Sequence, residues 1–243
     1  MELASEAGRD HTPIVNAKVA SLGPVIQLAR VRNRAFVERH LSLDSPRFDA
    51  IREFLNCPSG LFFEQSDNVG LMACSNNARD IDELMQRAFM AVCRSSLPKG
   101  AASQAVAALG EFESNVQEHC GQSETGVIGY EITAEYVGLF SSDLGMGVLD
   151  SLRTNPQHHS LDDAGDALQL LISDGVSRHV TAGHGNGFRP IFTGLANHTG
   201  FLRFRSGNAV LELNGFDQVQ LTREIKERSE TQGLHIFVHC RLN

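Results

Sequence analysis

The sequence contains no tryptophan, two tyrosines and five cysteines in 243 residues. The cysteines, at 57, 74, 93, 120 and 240, are odd in number and lack Cys-x-x-Cys spacing, which argues against a disulfide framework and against a zinc site. The adjacent His158 and His159 sit in a polar stretch without the paired spacing that zinc requires. No apolar run approaches the roughly 20 residues needed to span a bilayer. The opening MELASEAGRDHTP is acidic and polar, unlike a secretory signal, so no membrane association is expected and residence is expected to be cytoplasmic. Neither half carries a basic stripe: residues 1–98 sum to −1 and residues 99–243 to −7. A nucleic-acid partner is therefore not expected, and no internal repeat is present.

What the chain does contain falls into two parts around SSLPKGAAS, Ser95 to Ser103, where Pro and Gly interrupt helical patterns on either side. Before it, the periodicity predicts helices over 25–40, 47–56 and 79–94. Two short strands, GLFFEQ and VGLMAC, form a hairpin around the turn SDN. No catalytic motif occurs there, and residues 1–98 read as an accessory region for sensing, docking or dimerisation. After the break, Val106, Leu109, Phe112 and Val116 recur at spacings of three and four, predicting a helix over 103–120 that packs on a sheet.

The strands GVIGYEITA and YVGLFSS follow, then the turn DLGMG, a short helix from Val148, a polar stretch over 154–166 and a helix at DALQLLI. The turn GHGNG opens a further helix, FRPIFTGLANH, and the chain ends in FLRFRS, AVLEL and LHIFVHC. Gly207-Asn208 between the first two of these strands is a two-residue hairpin signal. Segregated helices and a mixed sheet predict an α+β two-layer α/β sandwich for residues 99–243, with a small N-terminal α/β element.

Three motifs carry chemistry. In GEFESNVQEHC, Glu111, Asn115 and His119 lie four apart, hence one above another on a single helical face. Asn115 offers a hard oxygen to Mg2+, and Glu111 can serve as general base beside a terminal phosphate; a solvated helix face carries the same pattern. In DLGMG, Asp143 closes an apolar strand, so its partly buried carboxylate requires a donor such as an adenine amino group. Gly145 and Gly147 would let backbone approach a base, although Asp and Gly are also ordinary turn residues. In GHGNG, Gly183, Gly185 and Gly187 precede a helix, where free N–H groups and the helix dipole attract an anion; a glycine loop alone reads the same way. The Gly-x-Gly-x-x-Gly dinucleotide spacing after a strand is absent.

The order of these motifs (acidic helix, strand, DxGxG, a polar segment of about 35 residues, GxGxG, helix, strands) resembles the GHKL ATP-binding fold, also called the Bergerat fold. That fold is shared by gyrase B, MutL, histidine kinases and anti-sigma-factor serine kinases. The Glu111, Asn115 and His119 pattern looks like the N box of the anti-sigma kinases, DLGMG like the G1 box and GHGNG like the G2 box.

The resemblance implies ATP and Mg2+ as cofactors, with Asn115 holding the metal and Asp143 reading the adenine amino group. Gly145 and Gly147 would shape the base pocket, and Gly183, Gly185 and Gly187 would bind phosphate oxygens. Residues 148–182 would act as a lid, and Arg178 would either reach the terminal phosphate or remain an exposed lid charge. Three departures are visible. Gly233-Leu234 stands where the family has Gly-Thr, Phe188-Arg189-Pro190 opens the G2 helix, and no helix carries a phospho-acceptor histidine followed by an acid.

The implied activity is that of an ATPase or serine/threonine protein kinase with a regulatory protein partner, such as a sigma factor or an antagonist-type protein. A homodimer is compatible with it. The rival readings are a nucleotide-gated binding module with little catalysis, and a structural α+β domain whose glycines are only turns.

Overall fold

A computed structural model describes residues 17–18, 21–74, 77–171, 198–214 and 222–242. Arg178, Gly183, Gly185, Gly187 and the helix expected after them lie outside the described residues, as does the end of the expected lid.

The predicted helix over 25–40 is two helices, α1 (Leu22–Val31) and α2 (Arg34–His40). Asn33 separates them because its side chain accepts from Phe36 N, capping α2. Helix α3 (Asp49–Asn56) follows. The hairpin β3 (Leu61–Phe63) and β4 (Val69–Ala73) forms as expected. Next come α4 (Ala78–Arg94), α5 (Lys99–His119), β5 (Val127–Ile132), β6 (Tyr136–Ser142), α6 (Gly147–Arg153) and α7 (Ala164–Leu171). Two long strands, β7 (Thr199–Asn214) and β8 (Thr222–Arg241), complete the chain. A separate two-residue parallel pair joins β1 (Ala17–Lys18) to β2 (Leu41–Ser42).

The main sheet has the order β3-β4-β5-β6-β8-β7 and is antiparallel at every described pairing. This corrects the expected mixed sheet while keeping the α+β class. Helices cover both faces, so the two expected layers are three. On the front face α4 to α7 pack over Met72, Ile128, Tyr130, Leu139, Leu202 and Val238. On the back face α1 to α3 cover Leu71, Val127, Phe140, Phe201 and Phe237. With apolar residues on both faces, either one left open would expose an apolar surface that water penalises. The chain on either side of Ser95–Ser103 shares this sheet: β4 pairs with β5, and α4 and α5 both pack on the front face.

The hairpin expected at Gly207-Asn208 is instead a bulge inside β7. Gly207 has φ +56°, and the register to β8 shifts on both sides of it. The shift is what keeps the core intact. Leu202 and Phe204 before it, and Ala209, Leu211 and Leu213 after it, all remain in the front core.

Helix α1 enters the fold on a buried acid. Glu131 of β5, 1% exposed, accepts from Leu22 N at 2.9 Å and so satisfies one of the orphan donors at the helix start. Burial pushes its carboxyl up to about 7, against the opposing pull of that N–H and of Arg47.

Candidate functional site

Helix α5 is placed by its apolar stripe. Ala105, Leu109, Phe112 and Val116 are buried in the front core, which leaves Glu111, Asn115 and His119 half-buried along the flank while Ser114 and Glu118 are exposed. Asn115 Nδ2 donates to Glu111 O at 2.6 Å, which fixes the amide plane and uses its donor side. Its Oδ1 makes no hydrogen bond among the described residues. Burial, then the neighbouring charge of Glu118, raises the Glu111 carboxyl above its ordinary range. His119 Nε2 lies 3.9 Å from Glu118 Oε2.

The DLGMG turn is clamped between the end of α5 and the last strand. Met146 N donates to Cys120 O at 2.9 Å, and Asp143 N donates to Leu234 O at 3.1 Å. Leu144 N donates to Thr125 Oγ1 at 3.0 Å, and Gln232 Nε2 donates to Leu144 O. A side chain at Gly145 would put its Cβ 2.1 Å from Cys120 O, so the bare α-carbon is what lets the turn dock on the helix end. Gly147, at φ +75°, begins α6, and Ser206 Oγ accepts from Val148 N at 3.0 Å. This packing accounts for both glycines whatever else they do.

Asp143 is 4% exposed. Its Oδ1 accepts from Gly145 N at 2.8 Å and more loosely from Leu234 N at 3.4 Å. Desolvation pushes its carboxyl up to about 6, resisted by those two N–H groups and by the positive charge of Arg30. At position 234, where the resembled family has threonine, it is the backbone that reaches Asp143.

The acid–amide–histidine helix and the buried aspartate thus meet at one end of the sheet, joined through Cys120, the residue after His119. Arg30, Thr125, Cys120 and Gln232 complete this corner, and none was legible as a site residue. Arg30 arrives from α1, and its guanidinium binds Thr125 O; no pattern in its own helix signals that. The thiols of Cys74 and Cys120, both raised by burial first, are inert packing groups here. Among the described residues no group of three or more His, Cys, Asp or Glu is arranged to hold a metal ion, and no helix is long and apolar enough to cross a membrane. No family model, curated protein or solved structure matches this chain.

Proposed function

We propose that this chain is a cytoplasmic, magnesium-dependent ATP-binding protein of the GHKL type, an ATPase or serine/threonine protein kinase acting on a regulatory protein partner. One observation carries the reading. The helix bearing Glu111, Asn115 and His119 ends directly on the DLGMG turn, so the His119 end of that helix face abuts the loop that holds buried Asp143. The Bergerat assignment rests on the same motifs, supported by the succession of α5, β5, β6, the turn and the closing strands.

The residues fit the nucleotide chemically. Asn115 has its nitrogen committed within the helix and its hard oxygen left for Mg2+, which takes few protein ligands when phosphates supply the rest. Bound Mg2+ would supply neutralisation of phosphate charge. Asp143 holds backbone donors on Oδ1 and is buried enough to favour a further donor, such as an exocyclic amine. Glu111, with its proton affinity raised by burial, would take the proton of a water or a partner's seryl hydroxyl.

Calorimetric titration of the full chain with ATP and Mg2+ tests this reading. Saturable binding is expected, lost or weakened in Asn115→Ala and Asp143→Asn. A parent protein that takes up no ATP in the presence of Mg2+ would refute it.

A further inference from the structure

The back face of the β7–β8 ribbon holds a charge cluster that the nucleotide corner does not use. Arg203 and Arg205 are two apart on β7, hence on the same face, and both are buried, at 4% and 8% exposure. Arg203 Nη1 donates to Gln27 Oε1 of α1 at 3.4 Å, and its Nε lies 3.2 Å from Glu212 Oε1. Glu212 is shared, since its Oε2 lies 3.1 Å from Lys226 Nζ. Arg205 Nη2 donates to Ser229 O at 3.1 Å, which brings its guanidinium beside half-buried Arg228. The Nε atoms of Arg205 and Arg228 are buried and have no hydrogen-bond partner among the described residues. Exposed Arg32, stacked 5.9 Å over the Phe36 ring, adds positive charge at the rim.

Among the described side chains, Arg203, Arg205, Lys226 and Arg228 gather around Glu212. Among the described residues no acid acts on Arg205: burial first, then the like charges of Arg203, Arg228 and Arg32, pull its guanidinium down to about 10. Burying a guanidinium among like charges costs stability that only a counter-charge restores. Neighbouring His235, held neutral by burial and by Arg205, supplies none. The chain carries a net charge of −8, yet no acid among the described residues pairs with Arg205.

We infer that this face binds a phosphate dianion, held by the guanidinium groups of Arg205 and Arg228 and completed by Arg203. Guanidinium forks match tetrahedral phosphate oxygens with paired, charge-assisted bonds. A doubly charged group offsets this excess better than a single carboxylate does. Arg228 and Arg32 leave the cluster a route to solvent.

The test is a titration of the full chain with inorganic phosphate at constant ionic strength, followed by NMR of the arginine Nε–Hε groups. The Arg205 and Arg228 resonances are assigned from Arg205→Lys and Arg228→Lys. Saturable shifts of those two resonances are expected, with no matching response to chloride. Arg228→Ala should weaken phosphate binding by about tenfold or more, the worth of a lost charge-assisted bond. Arg205→Met should abolish binding; if that variant does not fold, Arg228→Ala decides the question alone.

A phosphomonoester titrated in parallel separates the sources. Tighter binding of the ester assigns the site to a phosphoryl group carried on a larger molecule, and equal or weaker binding assigns it to the free ion. Shifts that grow linearly without saturating, or an unchanged affinity in Arg228→Ala, would overturn the assignment.

Discussion

Replacing Asp143 by asparagine should stabilise the nucleotide-free protein and weaken its binding of ATP. Burial pushes the Asp143 carboxyl from 3.8 to about 6, so the fold resists ionising it. Below pH 3.8 both the folded and unfolded chains hold the proton. As pH rises from 3.8 to about 6, the unfolded chain releases it while the fold retains it, and stability falls. Above that window the loss is complete, at about 3 kcal/mol by linkage.

Asparagine has the same outline and cannot ionise, and its oxygen can still accept from Gly145 N. Urea denaturation should therefore find Asp143→Asn more stable by up to about 3 kcal/mol at pH 8, with the gain shrinking to nothing near pH 4. ATP affinity should fall roughly tenfold or more, because a carboxylate acceptor toward the adenine amine becomes a competing donor. A variant that is less stable than the parent at pH 8, or one whose gain persists unchanged at pH 4, would refute the account of this buried acid.

Glu111→Ala should lower phosphate release or transfer by about 10²-fold or more while ATP still binds in calorimetry; intact turnover would assign the base elsewhere. Gly145→Ala should destabilise by about 1–3 kcal/mol, read as a lower urea midpoint, since Cys120 O lies 2.1 Å from the new Cβ. Glu131→Gln keeps an acceptor for Leu22 N, whereas Glu131→Ala leaves that buried N–H unsatisfied. At pH 8 the glutamine variant should be the most stable of the three, with the alanine variant about 1–3 kcal/mol below it. His235, whose pKa burial lowers from 6.5 to about 3, should remain neutral at pH 5 in a proton NMR titration. Because its folded value is lowered, its contribution is present above pH 6.5 and is lost as pH falls below it.

Much of the fold was legible because periodicity is local. The spacing of Leu109, Phe112 and Val116 marks the buried stripe of α5, and the same arithmetic sets Glu111, Asn115 and His119 on its flank. The nearly continuous apolar run of YVGLFSS marks β6, and LHIFVHC marks the end of β8. The glycine signals were harder to read. Gly207-Asn208 has the composition of a hairpin turn, yet β7 continues through it because β8 is long enough to pair on both sides and a bulge preserves the apolar face. Gly145 carries the signature of a ligand-binding turn, but the contact that requires its bare α-carbon is the carbonyl of Cys120.

By itself the sequence determined where most of the described helices and strands form, and which side chains share a face, because the 3.6- and 2-residue repeats depend only on neighbours along the chain. It also determined the order of motifs that suggests a nucleotide. Tertiary structure alone decided that β4 extends the central sheet, and that Arg30 of α1 stands near Asp143. It also decided that Arg205 lies buried among like charges. Each of these depends on residues tens to nearly two hundred positions apart being brought together by burial of apolar surface, and no local spacing encodes which of them will meet.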